Sequence, residues 1–266
     1  MEYQKIGFLG CGNMGGALAR AAAKQTKHIM LSNRTAAKAE ALAGELGVQV
    51  TDNETLARDC DLIFLGVKPQ MMADVLAELA PILAQRTDRF VLVSMAAGLK
   101  IQAIRRMVGG DYPVLRIMPN TPASIGAGMI LTCGDGVTDE GKAAFFAVMR
   151  EAGLFDELPE TLIDAGSAVS GCGPAFVYPF VEAMADGAVA CGLPRDKAQR
   201  YAAQTLLGAA QLILECGAHP GALKDAVCSP GGSTIQGVRA LEQGGFRSAV
   251  MEAVIAAYEK TVELGK

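Results

Sequence analysis

The run IGFLGCGNMGGALARAAAK, residues 6–24, constrains the fold more than any other part of the chain. A short apolar stretch with strand propensity stops at Gly10 and passes directly into an amphipathic helical pattern. Glycines stand at 10, 12 and 15 of the junction, in the spacing G-x-G-x-x-G. Alone that spacing is weak evidence, but between a strand and a helix it has a physical meaning. Gly10 permits the tight turn, Gly12 lets the backbone approach a pyrophosphate, and Gly15 lets helix and strand pack closely. The helix N-terminus, with its unpaired N–H groups, then faces the phosphates. Gly10, Cys11, Gly12, Asn13, Met14 and Gly15 are therefore the expected pyrophosphate loop of a dinucleotide.

The alternation continues with HIMLS, AAKAEALAGEL, VQV, LIFLGV, FVLVSM and VLRIM. Short β-rich runs separated by helical patterns predict an α/β domain of the Rossmann type, with a parallel sheet covered by helices on both faces. After Leu158 the β runs stop. Ala-rich helical patterns follow, punctuated at CGLPR, GAHPG, CSPGG and EQGG. Pro159 sets the expected boundary, giving a Rossmann domain over 1–158 and an all-helical domain over 159–266. Two of the later helices, YAAQTLLGAAQLIL and AVMEAVIAAYEKTVEL, are apolar around too much of their circumference for one buried stripe. A domain of that size buries them best against a second copy, which predicts a homodimer.

Composition narrows the partners. A net charge of −4 supplies no general attraction to nucleic acid or to an anionic membrane. The longest uncharged run, 165–181, is broken by Pro174 and Pro179 and does not read as a membrane span. The 7 cysteines are scattered, with no CxxC pair, so no metal site and no disulfide framework is expected. The opening MEYQKIGFLG lacks the regions of a signal peptide, and a reducing cytoplasm fits best.

Chains that bind NAD usually carry Asp or Glu at the end of the second strand, to hold the ribose 2′-OH. Here the sequence reads Ser32-Asn33-Arg34-Thr35. A guanidinium, an amide and hydroxyls suit a 2′-phosphate, so Asn33 and Arg34 predict NADP(H), with NAD(H) also possible. Further loops leave later strands at Val67-Lys68-Pro69, at Met95-Ala96-Ala97 and at RIMPNTPA, where open α/β sheets bind ligands. Ala96 and Ala97 are small enough to admit a flat ring. Asn53 reads either as another cofactor contact or as the N-cap of the helix after it.

A proton donor is conspicuously missing. The chain has 2 histidines, His28 beside the second strand and His219 in a turn, and both read as structural. No Y-x-x-x-K pattern occurs. A substrate that is already electrophilic, such as a protonated imine, would need only orientation and one or two hydrogen bonds. The stretch CSPGGSTIQG, 228–237, opens a helix with two glycines and several hydroxyls. It reads either as a capped turn or as an anion site for a substrate carboxylate.

Taken together, the chain resembles the pyrroline-5-carboxylate reductases over nearly its whole length. The resemblance rests on LKDAVCSPGGSTIQGVRALEQGGFRSAVMEAV (223–254), DAGSAVSGCGPAFVY (164–178), ADGAVACGLPR (185–195), VKP and RIMPNTP. It implies reduction of Δ1-pyrroline-5-carboxylate to L-proline with NAD(P)H, a helix-swapped dimer and a decamer of five dimers. The substrate carboxylate would be held by Ser229, Gly231, Gly232, Ser233 and Thr234, with the Thr234 hydroxyl near the ring nitrogen. The chain departs from the family's pattern at Ala226, Gly217 and Met95, where Asn, Glu and Cys occur in relatives. Other readings are a reductase of another cyclic imine acid such as piperideine-2-carboxylate, a β-hydroxyacid dehydrogenase, and a non-catalytic NADP(H)-binding regulator. The dehydrogenase would want a lysine in AFVYPFVEAMADG, which has none.

Overall fold

The structure is a computed structural model that describes residues 5–265. Its centre is an eight-stranded sheet built from β1 (Ile6–Leu9), β2 (Ile29–Ser32), β3 (Gln49–Val50), β4 (Leu62–Leu65), β5 (Val91–Ser94), β6 (Val114–Met118), β7 (Gly128–Asp135) and β8 (Gly153–Glu157). The strand order is β3-β2-β1-β4-β5-β6-β7-β8. The chain runs outward in both directions from β1 and β4, and their carboxyl ends are the switch point where open sheets of this kind hold ligands.

The expected parallel sheet is present, with one reversal. β1 to β6 are parallel, but β7 turns back antiparallel against β6, with Val114 opposite Asp135 and Met118 opposite Leu131. β8 then pairs parallel to β7. The sequence reading stops its strands at VLRIM and misses both. GMILTCGD is fenced and interrupted by glycines, and GLFDE exposes alternate residues at the sheet edge, so neither has the continuous apolar run of a central strand.

Helices α1 (Asn13–Ala23), α2 (Ala36–Leu46), α3 (Asn53–Asp59), α4 (Met72–Leu83), α5 (Ile101–Val108), α6 (Asp139–Met149) and α7 (Glu160–Ser170) accompany the sheet. β1, β4, β5 and β6 are buried along their length, because they are covered on both faces. Phe8, Leu18, Leu31, Phe64 and Phe145 belong to one apolar cluster, and Leu9, Leu56, Ile63, Leu76 and Leu92 to another. Phe8 and Phe64 stack with ring centroids 4.3 Å apart.

α7 is pinned to the sheet by polar contacts that an Ala-rich helix would not make by itself. Arg116, fully buried in β6, donates from Nη2 to Asp164 at 2.6 Å and lies 3.6 Å from Glu160. Asn120 donates to the Ser170 carbonyl at 2.9 Å and accepts from the Met129 N–H at 3.0 Å. By contacts the described chain divides into one unit of 5–172 with 257–265 and a second of 173–256. The sheet ends beside the expected boundary at 158/159, while α7 packs with the sheet unit.

The second unit contains α8 (Gly173–Ala190), α9 (Arg195–Cys216), α10 (Pro220–Val227), α11 (Ser233–Gln243) and the first part of α12 (Phe246–Leu264). Every punctuation mark read from the sequence falls between two of these helices. Gly217 ends α9 in the left-handed conformation, φ +61°, which favours glycine over a side chain. Inside the unit the fully buried apolar residues are Ala185, Ala198 and Ala202. Leu207, Leu212, Leu214, Val250, Met251 and Ile255 are exposed, an apolar surface that demands cover. Among the described residues no helix is long and apolar enough to cross a membrane.

Candidate active site

Gly10 leaves β1 with φ +99°, and its N–H donates to the Ser32 carbonyl at 2.7 Å. A Cβ at Gly10 would lie 2.5 Å from the Gly66 carbonyl oxygen, and one at Gly15 would lie 2.0 Å from the Gly10 oxygen. Both positions require glycine for close backbone approach. Gly12 is different: it is exposed, and nothing among the described residues lies within 4 Å of where its Cβ would be. The loop is thus closed beneath and open above Gly12, which fits a pyrophosphate resting on the backbone. α1 begins with no side-chain cap and no acidic residue in its first turn. The amides of Asn13, Met14 and Gly15 precede the first helical bond, Gly16 N–H to the Gly12 carbonyl, and are available to an anion. Burial pushes the Cys11 thiol up to about 11, so no thiolate opposes that anion.

At the end of β2, the structure brings Asn33 under the glycine loop. Its Oδ1 accepts from the Cys11 N–H at 2.9 Å and its Nδ2 donates to the Thr35 carbonyl at 2.9 Å. Asn33 therefore orders the loop and keeps one amide N–H for a ligand. Arg34 is exposed, with Nη1 3.7 Å from the Met71 sulfur, and no carboxylate pairs with it among the described residues. Asn53 is not the N-cap of α3. Asp52 takes that role, accepting from the Thr55 N–H at 2.6 Å, and Asn53 instead bridges Ser32 and Glu78. Glu78 leaves no local pattern in the sequence, because its contact with Asn53 is made across 25 residues.

The loops after β4 and β5 carry the remaining residues expected at the cofactor. Lys68 is exposed while Val67 and Pro69 are half-buried. Met95 is half-buried and Ala97 exposed, but Ala96 is 2% exposed and its methyl belongs to the core. Ala96 can therefore meet a ligand only through its backbone. A cavity of about 510 Å³ lined by Ile101, Cys133, Glu157 and Glu160 shares none of these residues.

The second anion-ready feature lies in the helical unit. Gly231 adopts φ +72° and the Gly232 N–H donates to the Ser229 carbonyl at 3.1 Å, closing a turn. A Cβ at Gly232 would sit 2.4 Å from the Ser229 Oγ. The capped-turn alternative is not realised by a hydroxyl: the N-cap of α11 is Gly232, with no side-chain hydrogen bond. Ser229, Ser233 and Thr234 are exposed, and their hydroxyls bond nothing else among the described residues. No acidic residue occupies the first turn of α11. His219 proves structural, its Nδ1 accepting from the Gly221 N–H at 3.0 Å to cap α10.

Comparison with known proteins agrees with both halves. Residues 160–264 match the family model for pyrroline-5-carboxylate reductase dimerisation, and residues 5–98 match the model for NADP oxidoreductase, coenzyme F420-dependent. The pyrroline-5-carboxylate reductase of Escherichia coli (strain K12) is 42% identical over 269 residues, covering 99% of each chain. That of Methanosarcina acetivorans is 42% identical over 272 residues, covering 100% of each. The crystal structure of Plasmodium falciparum pyrroline carboxylate reductase with NADP bound has a TM-score of 0.89 at 33% identity, over 100% of both chains.

Proposed function

The chain belongs to the pyrroline-5-carboxylate reductases, and from that premise we propose how its residues divide the reaction. It is an NADP-dependent oxidoreductase of proline biosynthesis, reducing Δ1-pyrroline-5-carboxylate to L-proline. When bound, the reduced dinucleotide supplies the hydride that adds to C5 of the ring's C=N bond. The amides of Asn13, Met14 and Gly15 and the bare backbone of Gly12 hold its pyrophosphate. Arg34, with the free N–H of Asn33, receives the 2′-phosphate. Val67, Lys68 and Pro69, with Met95, the Ala96 backbone and Ala97, border the rest of the dinucleotide.

The turn at 229–234 holds the substrate carboxylate through the Gly231 and Gly232 backbone, the first amides of α11 and the hydroxyls of Ser229 and Ser233. Thr234 hydrogen-bonds the ring nitrogen and fixes the ring face that receives hydride. No general acid is required, since an iminium carbon is already electrophilic. The observation that carries this reading is a glycine-capped helix mouth with three unengaged hydroxyls and no acid, in a chain matched end to end by reductases of this substrate. The exposed apolar surface of the second unit supports a dimer that interleaves these helices, and a decamer of such dimers. Seven free cysteines support a reducing, cytoplasmic setting.

The test is NADPH absorbance loss with pyrroline-5-carboxylate, run beside piperideine-2-carboxylate. Turnover of the five-membered imine at least tenfold faster is expected. Equal rates would make the substrate assignment wrong, and no turnover of either would reject the imine reductase.

A further inference from the structure

Three side chains from different elements form one polar chain at the end of β2. Glu78 in α4 accepts from Asn53 Nδ2 at 3.1 Å and 3.2 Å, one distance to each carboxylate oxygen. Asn53, the first residue of α3, accepts from the Ser32 Oγ at 2.6 Å. The order of donors and acceptors is forced. An ionised carboxylate can only accept, so the amide must turn its NH₂ toward Glu78 and its oxygen toward Ser32. The Ser32 hydroxyl must then donate its proton to that oxygen. Ser32 is 6% exposed, so bulk water does not scramble the arrangement.

The consequence falls on what Ser32 can offer a ligand. With its proton committed, Oγ has only lone pairs left. Ser32 stands at the strand end, about twenty residues past the glycine loop, where chains that bind NAD place a carboxylate to accept from the ribose 2′-OH. A lone-pair oxygen there performs the same act without the charge. It also gives nothing to a 2′-phosphate, which needs donors. Arg34, exposed and without a carboxylate partner among the described residues, provides those donors.

We propose that Glu78 is a positioning residue for cofactor choice: through Asn53 it holds Ser32 as an acceptor for a ribose hydroxyl, keeping NADH usable beside NADPH. This rests on the dinucleotide reading of the glycine loop given above. Glu78→Lys replaces the acceptor with a donor and reverses the amide, freeing the Ser32 proton for a phosphate.

The experiment measures equilibrium Kd for NADH and NADPH by the nucleotide's own fluorescence, together with kcat/KM for each. Glu78→Lys should raise the NADH-to-NADPH Kd ratio about tenfold, the scale of one hydrogen bond gained or lost. Asp74→Lys, which makes the same charge change one turn earlier on α4, should move it less than threefold. In a Ser32→Ala background Glu78→Lys should have no further effect. A ratio unchanged by Glu78→Lys, an equal shift from Asp74→Lys, or a full shift persisting without Ser32 would each overturn the relay. Absence of nucleotide binding by the wild-type chain would instead overturn the dinucleotide reading itself, and the relay with it.

Discussion

At the residue scale, the positions proposed for the site are marked by what they leave unmade. Ser229, Ser233 and Thr234 have hydroxyls without partners among the described residues, and Gly12 has space where a side chain would be. Thr234→Ala removes the group assigned to the ring nitrogen while leaving the glycine cap intact. Turnover should fall more than tenfold with little change in thermal stability, read from steady-state rates beside a melting curve. Wild-type turnover would remove Thr234 from the reaction. The sequence makes these residues visible because glycines and hydroxyls at a helix mouth form a local pattern. It hides the duty of Asn33, whose amide is spent largely on Cys11 and Thr35, and the whole of Glu78, whose partner is 25 positions away. A side chain's type can be read from sequence, but the partner that orients it cannot.

At the element scale, β1, β2, β4, β5 and β6 are legible because each is a short, largely buried apolar run. β7 and β8 are not: glycines bound and interrupt β7, and β8, at the sheet edge, is largely exposed. α7 raises a related problem: its pattern is helical, but only structure shows that Arg116 binds it to the sheet. Arg116 is fully buried, and its Nε and Nη1 have no hydrogen-bond partner among the described residues, so Asp164 compensates most of its burial. Asp164→Ala removes the guanidinium's hydrogen-bonded carboxylate, leaves it only the looser Glu160 at 3.6 Å, and should cost about 3 kcal/mol, seen as a lower urea midpoint. Replacing both, Arg116→Met with Asp164→Leu, should recover most of that loss. If the single change were harmless, the pair would not be what fastens α7.

At the scale of the whole molecule, the two units reach stability by different routes. The sheet unit buries its own core, while the helical unit leaves Leu212, Leu214, Met251 and Ile255 exposed for a partner chain to cover. The sheet unit also buries thiols. Desolvation holds Cys11 and Cys133 up to about 11 and Cys60 up to about 12, against 9.0 for a solvated thiol. The folded chain thus binds protons more tightly than the unfolded one between those values. Their contribution is complete below pH 9 and is lost as pH rises toward about 11 to 12. Urea midpoints at pH 8 and 10.5 should differ in that direction, and Cys60→Ala should narrow the difference; a midpoint that rose with pH would contradict the burial of these thiols. The proposed seat of the substrate anion is the mouth of α11. Its most direct test compares kcat/KM for pyrroline-5-carboxylate with that for 1-pyrroline, the same ring without the carboxylate, at saturating NADPH. Loss of the charge-assisted bonds should lower kcat/KM by about tenfold to a hundredfold or more. Equal values for the two rings would mean that the turn at 229–234 does not hold the substrate.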